Sequence, residues 1–137
     1  EATAGKVVIS CVNPLGFDKI GPYGLDLERS AAESAAALMP EARVVGAFHH
    51  LSAVTLIAGV DLDEDVLVCG DAPDAVETVV ELTRAVTGRR GVACGALRFA
   101  RRLEPLTAVL ISVNRIHRAH SGVRITGLAE HSVDGHA

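Results

Sequence analysis

Aromatic residues are nearly missing from this chain of 137 residues, which has no Trp, one Tyr and three Phe. Because 49% of its residues are hydrophobic, the core has to be aliphatic, and the chain is long enough to bury one without disulfides. Cysteine is scarce and scattered, at Cys11, Cys69 and Cys94. With no C-x-x-C spacing to suggest zinc, the simplest reading is three buried thiols in a cytoplasmic chain. Basic blocks are also lacking. Thirteen Lys and Arg stand against 17 Asp and Glu, for a formal charge of −4, which argues against nucleic acid as the main partner. No apolar run approaches the ~20 residues of a spanning helix, and no signal peptide is visible, so no membrane partner is expected.

The missing catalytic signatures narrow the field further. There is no G-x-S-x-G elbow, no P-loop and no H-E-x-x-H. No G-x-G-x-x-G follows the first strand, so no dinucleotide pyrophosphate site is encoded. The chain also opens at Glu1 without a Met and enters a strand at Lys6. It reads as something joined in the middle.

What is present has an α/β order. Lys6–Val12 is an apolar β-branched run of strand length, buried on both faces, and Asn13-Pro14 stops it. A loop rich in Gly and Pro follows to Leu25, either a surface connection or a cover for a ligand. Ser30-Ala31-Ala32-Glu33 is a capping box that opens an Ala-rich helix ending at Pro40. Val44–His50 is the second strand, expected parallel to the first. Val54–Ala58 is a short helix or an edge segment. The acidic run Asp61–Asp65 lacks the glycine and closing glutamate of a calcium loop and reads as a solvated turn. Val66–Cys69 is a third strand, and a helix from Pro73 to Gly88 carries Val76, Val79, Val80, Thr83 and Val86 on one face. Gly91–Cys94 is a fourth strand. From Leu97 helical spacing resumes, with Pro105 either kinking that helix or starting a second one. Val123–Leu128 reads as a last strand. The expectation is one α/β domain over residues 1–128 with a mainly parallel sheet, and a flexible tail over 129–137.

The candidate chemistry centres on His49 and His50, at the carboxyl end of the second strand, where open α/β sheets keep their ligands. On a regular strand the two imidazoles point to opposite faces, so they do not readily share a metal. One is expected at the cleft, donating a hydrogen bond to a ligand carbonyl or serving as acid or base. No metal site is expected. His117 and His120 have metal-compatible spacing but no further ligand nearby in sequence, and Arg98, Arg101 and Arg102 form a basic patch. Asn114, polar on the face of Leu106, Leu110 and Val113, needs a partner if buried and is a candidate pocket or interface contact.

Taken together, Val7–Pro14, Gly21–Gly24, Ser30–Glu33, Val44–Ala53, Val68–Asp71 and Leu103–Asn114 resemble the second half of the F420-dependent NADP oxidoreductases. That resemblance implies a partial Rossmann-like, mainly parallel sheet with flanking helices and a C-terminal helical segment. It implies a homodimer, F420 as cofactor, and NADP only where a first half carrying the Gly-rich loop exists. Ser10, Val12, Asn13 and Pro14 would border the nicotinamide. Phe48, Leu51 and Ser52 would line the deazaflavin, with His49 at the family histidine and Ser52 where the family often has proline. The chain is then either a fragment of a complete reductase or a natural half-protein. As a half-protein it would take a small-molecule ligand without either cofactor, as a cyclase or isomerase of secondary metabolism acting on, for instance, a polyketide. It would otherwise be a non-catalytic F420-binding or dimerisation module. Catalysis by positioning needs few polar groups, which suits so thin an inventory. In either case the first strand is left as an open edge, expected to be covered by a partner chain or rearranged.

Overall fold

A computed structural model describes residues 2–129. In chain order the elements are β1 (Val7–Ser10), β2 (Leu15–Phe17), β3 (Pro22–Gly24), α1 (Ala31–Leu38), β4 (Arg43–Gly46), α2 (Ala53–Ala58), β5 (Leu67–Gly70), α3 (Pro73–Thr87), β6 (Val92–Gly95) and α4 (Ala100–His117), the last entered through a single 3₁₀ turn at Leu97–Phe99. The flexible tail expected over 129–137 lies, beyond Ala129, outside the described residues.

The main sheet has the order β1-β4-β5-β6. Strands β1 and β4 pair in parallel, Val8 opposite Val44 and Ser10 opposite Gly46, as the strand-helix-strand reading requires. Strands β5 and β6 are parallel to each other. Between these pairs β5 runs antiparallel to β4, a reversal hidden by the alternation of strands and helices in the sequence. Its cause is local. The only helix between β4 and β5 is α2, six residues long with none buried. So short a helix does not carry the chain back across a face as a crossover does, and an antiparallel neighbour needs no such return.

Alternating side chains feed two apolar layers, which explains why the strands read as continuous apolar runs. Val44, Leu67 and Cys69 face Ala32, Leu97, Ala100 and Leu103, so α1 and α4 cover one side. Val45, Val66 and Val68 face Ala75, Val79 and Val80, so α3 covers the other. Strand β1 is paired on one side only. Its Val7, Val8 and Ile9 are half-buried, where the central strands are sealed.

Helix α1 starts where the sequence says, with Ser30 and Glu33 closing the capping box. The structure adds Glu104 of α4, whose two carboxylate oxygens accept the Ala31 and Ala32 N–H groups at 2.8 and 3.0 Å. Helix α1 is therefore fixed by a side chain more than 70 residues away. Arg101, in the expected basic patch, makes two bonds of 2.7 Å to Glu33. That pairing and the Ser30 donors hold the Glu33 carboxyl down at about 2.

Two regions depart from the sequence reading. The loop after Pro14 is an antiparallel hairpin, β2-β3, whose turn is closed by the Asp18 carboxylate accepting the Ile20 and Gly21 N–H groups. The hairpin lies tightly on α4: a Cβ on Gly24 would come within 2.5 Å of the Pro105 ring. Pro105 itself sits inside one continuous helix rather than starting a new one. Val123–Leu128 forms no strand. Among the described residues its backbone hydrogen bonds go to Asp65, through Asp65 N–H to Val123 O at 2.7 Å and Ile125 N–H to the Asp65 carboxylate at 2.7 Å. A side-chain acceptor there takes the place of a ladder. The acidic run is not the solvated turn expected: Glu64 and Asp65 are buried, and Asp65, with the exposed Asp63, pairs with Arg89 and Arg124.

Candidate functional site

The expected site lies where the carboxyl ends of β1 and β4 meet, but its backbone is not a strand. Strand β4 stops at Gly46, Ala47 N–H still bonds Ser10 O at 3.1 Å, and Phe48 then takes φ = 64°. A left-handed backbone is costly for a bulky side chain and persists only where the surroundings enforce it. This turn overrides strand alternation. His49 and His50 do not split between the two faces; both rings are buried, with centroids 6.0 Å apart. Gly46 makes room for the His49 ring: a Cβ there would come 3.3 Å from His49 Cε1 and 3.0 Å from Cys69 Sγ.

The two imidazoles are not equivalent. His50 Nε2 lies 2.7 Å from Leu103 O, so that nitrogen carries the proton and donates to α4. His49 is 2% exposed, and neither Nδ1 nor Nε2 has a hydrogen-bond partner. Burial, reinforced by the neighbouring His50, pushes the His49 imidazolium down to about 4. Burial also lowers His50, partly opposed by its bond to Leu103 O. At neutral pH both rings are uncharged; His49 keeps one N–H and one lone pair uncommitted, whereas the single N–H of His50 is already given to Leu103 O.

The other expected residues are partly gathered here. Ser10 is buried at the end of β1 and Val12 is 55% exposed just beyond it. Asn13 Nδ2 donates to His49 O at 3.1 Å, tying the β1 end to the turn. Pro14 instead lines a cavity of about 30 Å³ with Leu25, Leu27, Arg29, Ser30 and Arg101. Phe48 and Leu51 pack partly into the α3-side layer, while Ser52 is the N-terminal flanking residue of α2 and makes no side-chain cap. Asn114 stands apart, about two helical turns beyond Thr107 on α4. Its Oδ1 accepts the Ser121 N–H at 2.6 Å, so its partner is the chain leaving the helix. His117 and His120 are exposed, and among the described residues no group of three or more His, Cys, Asp or Glu is placed to hold a metal.

Sequence reasoning missed Thr107. Its hydroxyl lies 2.8 Å from His49 O and 3.0 Å from Asn13 Oδ1. A Thr on a helix face with Leu106, Leu110 and Val113 reads as ordinary, and nothing local connects it to a residue 58 positions earlier.

A sheet covered on both faces, with polar groups and a strained turn beyond the carboxyl ends of two parallel strands, defines an α/β protein whose strand ends lie where open α/β sheets keep their ligands. No family model matches the chain. The F420-dependent NADP reductase of Methanothermobacter thermautotrophicus is 41% identical over 107 residues, covering 75% of this chain and 46% of the relative. That of Methanothermobacter marburgensis is 38% identical over 138 residues, covering 95% and 61%. A crystal structure described as a putative F420-dependent NADP reductase from Arthrobacter sp. FB24 superposes with a TM-score of 0.76 at 24% identity, covering 90% and 59%, which shows the same fold. Over this shared part the chain is a homologue of the F420-dependent NADP reductases, and it spans roughly half the length of the relatives it matches.

The wall suits a flat ring in one respect only. An orphaned buried imidazole and a strained turn stand at a sheet end, yet the crevice lined by Phe48, His49, His50 and Leu51 has no room for even one water. A deazaflavin would lie against this wall, not inside it.

Proposed function

We propose that this chain supplies the deazaflavin-binding wall of an F420-dependent oxidoreductase. The observation carrying the reading is the turn at Phe48–His50, bonded to Asn13 beyond the parallel neighbour, in a chain homologous to reductases so named. F420 when bound supplies a two-electron hydride carrier. The chain's own contribution is to seat and orient that ring. Phe48, Leu51 and Ser52 form the surface, with His49 a neutral hydrogen-bonding group beneath it. Val12 and Asn13 form the rim on which the second reactant would lie, with Ser10 buried behind it and Pro14 turned to the separate cavity beside Leu25 and Arg101. His50, held by Leu103 O, fixes the turn and is not itself free to bond a ligand through Nε2.

NADP needs a phosphate-binding loop that this sequence does not contain, so it is held by the part of the reductase outside the matched half. Strand β1 is the edge to which that part adds. Helix α2, which starts directly after the wall, is nearly all apolar, and its Val54 and Ile57 are 66% and 88% exposed, as expected of a surface awaiting a cover. A homodimer, as the resemblance implies, would use apolar surface such as Val109 and Ile116 of α4 and Phe17 and Ile20 of the hairpin, all exposed. The cyclase and isomerase readings call for an enclosed substrate cavity, and no specific observation favours them.

Titration separates the readings. F420 added to the intact chain is expected to bind, seen in its visible absorbance and fluorescence, while NADPH alone is not. Binding of NADPH without F420 would overturn this assignment. Failure of F420 to bind would end the redox reading and leave a cofactor-free small-molecule protein.

A further inference from the structure

Among the described residues two non-glycine residues have a left-handed backbone: Arg118, which caps a helix end, and Phe48, which does not. Such strain is held by neighbours, and here the neighbours are identifiable. The carbonyl of His49, the residue after Phe48, receives Asn13 Nδ2 at 3.1 Å from the β1 side and the Thr107 hydroxyl at 2.8 Å from the α4 side. The same hydroxyl lies 3.0 Å from Asn13 Oδ1, so its one proton is shared between that oxygen and the His49 carbonyl. On the near side Ala47 N–H is held by Ser10 O, and on the far side the His50 ring is held by Leu103 O, one helical turn before Thr107. The strained residue is thus fixed on both flanks.

We propose that Thr107 and Asn13 are positioning residues: together they clamp the His49 carbonyl, hold Phe48 in its left-handed conformation and thereby set the wall against which a planar ligand lies. The clamp stands on the geometry alone. Its ligand consequence rests on the deazaflavin reading above. Neither residue needs to touch the ligand for this role. Thr107 stands on a helix that also packs against α1 and the hairpin, so the wall is referred to α4.

The test uses the intact chain and three substitutions. Thr107→Val removes the hydroxyl at constant shape, Thr107→Ser keeps it, and Phe48→Gly lets the turn take positive φ without strain. Amide exchange over residues 47–51 is expected to speed up about 5- to 10-fold in Thr107→Val, the loss of roughly one net hydrogen bond. It should stay within about 2-fold of the parent in Thr107→Ser. In the Phe48→Gly background the effect of Thr107→Val should shrink to under about 3-fold, because glycine needs no clamp. F420 affinity, read by fluorescence, should follow the same order. Equal exchange in Thr107→Val and the parent, or an equal penalty in both backgrounds, would overturn the clamp. Should the parent fail to bind F420, the deazaflavin reading falls while the exchange results still decide the clamp. If Thr107→Val does not fold, Thr107→Ala and Thr107→Ser are compared, and a Ser variant as fast as the Ala variant overturns the proposal.

Discussion

Taking the protein from pH 6.5 down to 4 is expected to lower its unfolding free energy by about 3 kcal/mol through His49 alone. The sign follows from the direction in which burial moves the ring. The imidazole titrates near 6.5 when unfolded and is pushed to about 4 in the folded chain, so the unfolded state binds more protons between those values. Stability is complete above 6.5 and is lost as pH falls through the window, at roughly 1.4 kcal/mol for each tenfold rise in proton concentration. His50 adds loss in the same direction. His49→Leu should flatten the profile and, at pH 7, raise stability by about 1–2 kcal/mol, because it removes two buried ring nitrogens that have no partner. Urea unfolding of the parent and the variant at pH 7 and pH 5 measures both effects. A parent and a His49→Leu variant that lose stability in parallel would show that the ring is hydrated.

Glu104→Leu is expected to cost about 3 kcal/mol, although the apolar replacement is well suited to its buried position. The reason is the two N–H donors of Ala31 and Ala32, which then lose their only acceptor inside the α1–α4 interface. Glu104→Gln keeps one acceptor oxygen and should lose about half as much. Burial raises the Glu104 carboxyl and these two N–H donors oppose that rise. Thermal unfolding with helix content followed by circular dichroism tests the pair. A Leu variant as stable as the parent would show that the capping box at Ser30 and Glu33 is sufficient by itself.

These two residues also mark where the sequence stops being readable. The parallel β1–β4 pair, the capping box at Ser30 and the α3 face of Val76, Val79, Val80 and Thr83 are legible because each is written in a local pattern, although Val86, expected on the same face, is exposed. The hairpin escapes a sequence reading although Asp18 carries an Asx-turn signal, since glycines and prolines read as a loop when each strand is three residues long. The reversal at β5 is invisible because strand direction depends on how the connection packs, not on the strand's composition. His49 stands out correctly as unusual, but for a reason the turn at Phe48 removes. The residues that hold that turn, Asn13 and Thr107, are separated by 94 positions, and no local pattern brings them together. Thr107 and Glu104 show the same limit: a polar residue on an apolar helix face announces that it has a partner but not which one.

Whether the wall at the ends of β1 and β4 receives a deazaflavin is measured most directly by the amide resonances of the isotope-labelled chain as F420 is added. Perturbations gathered at Ser10–Asn13 and Phe48–Ser52, with the rest of the sheet unmoved, are the predicted result. F420 that binds with its perturbations elsewhere, for instance around Arg29 and Arg101, or F420 that leaves every resonance unchanged, would contradict it.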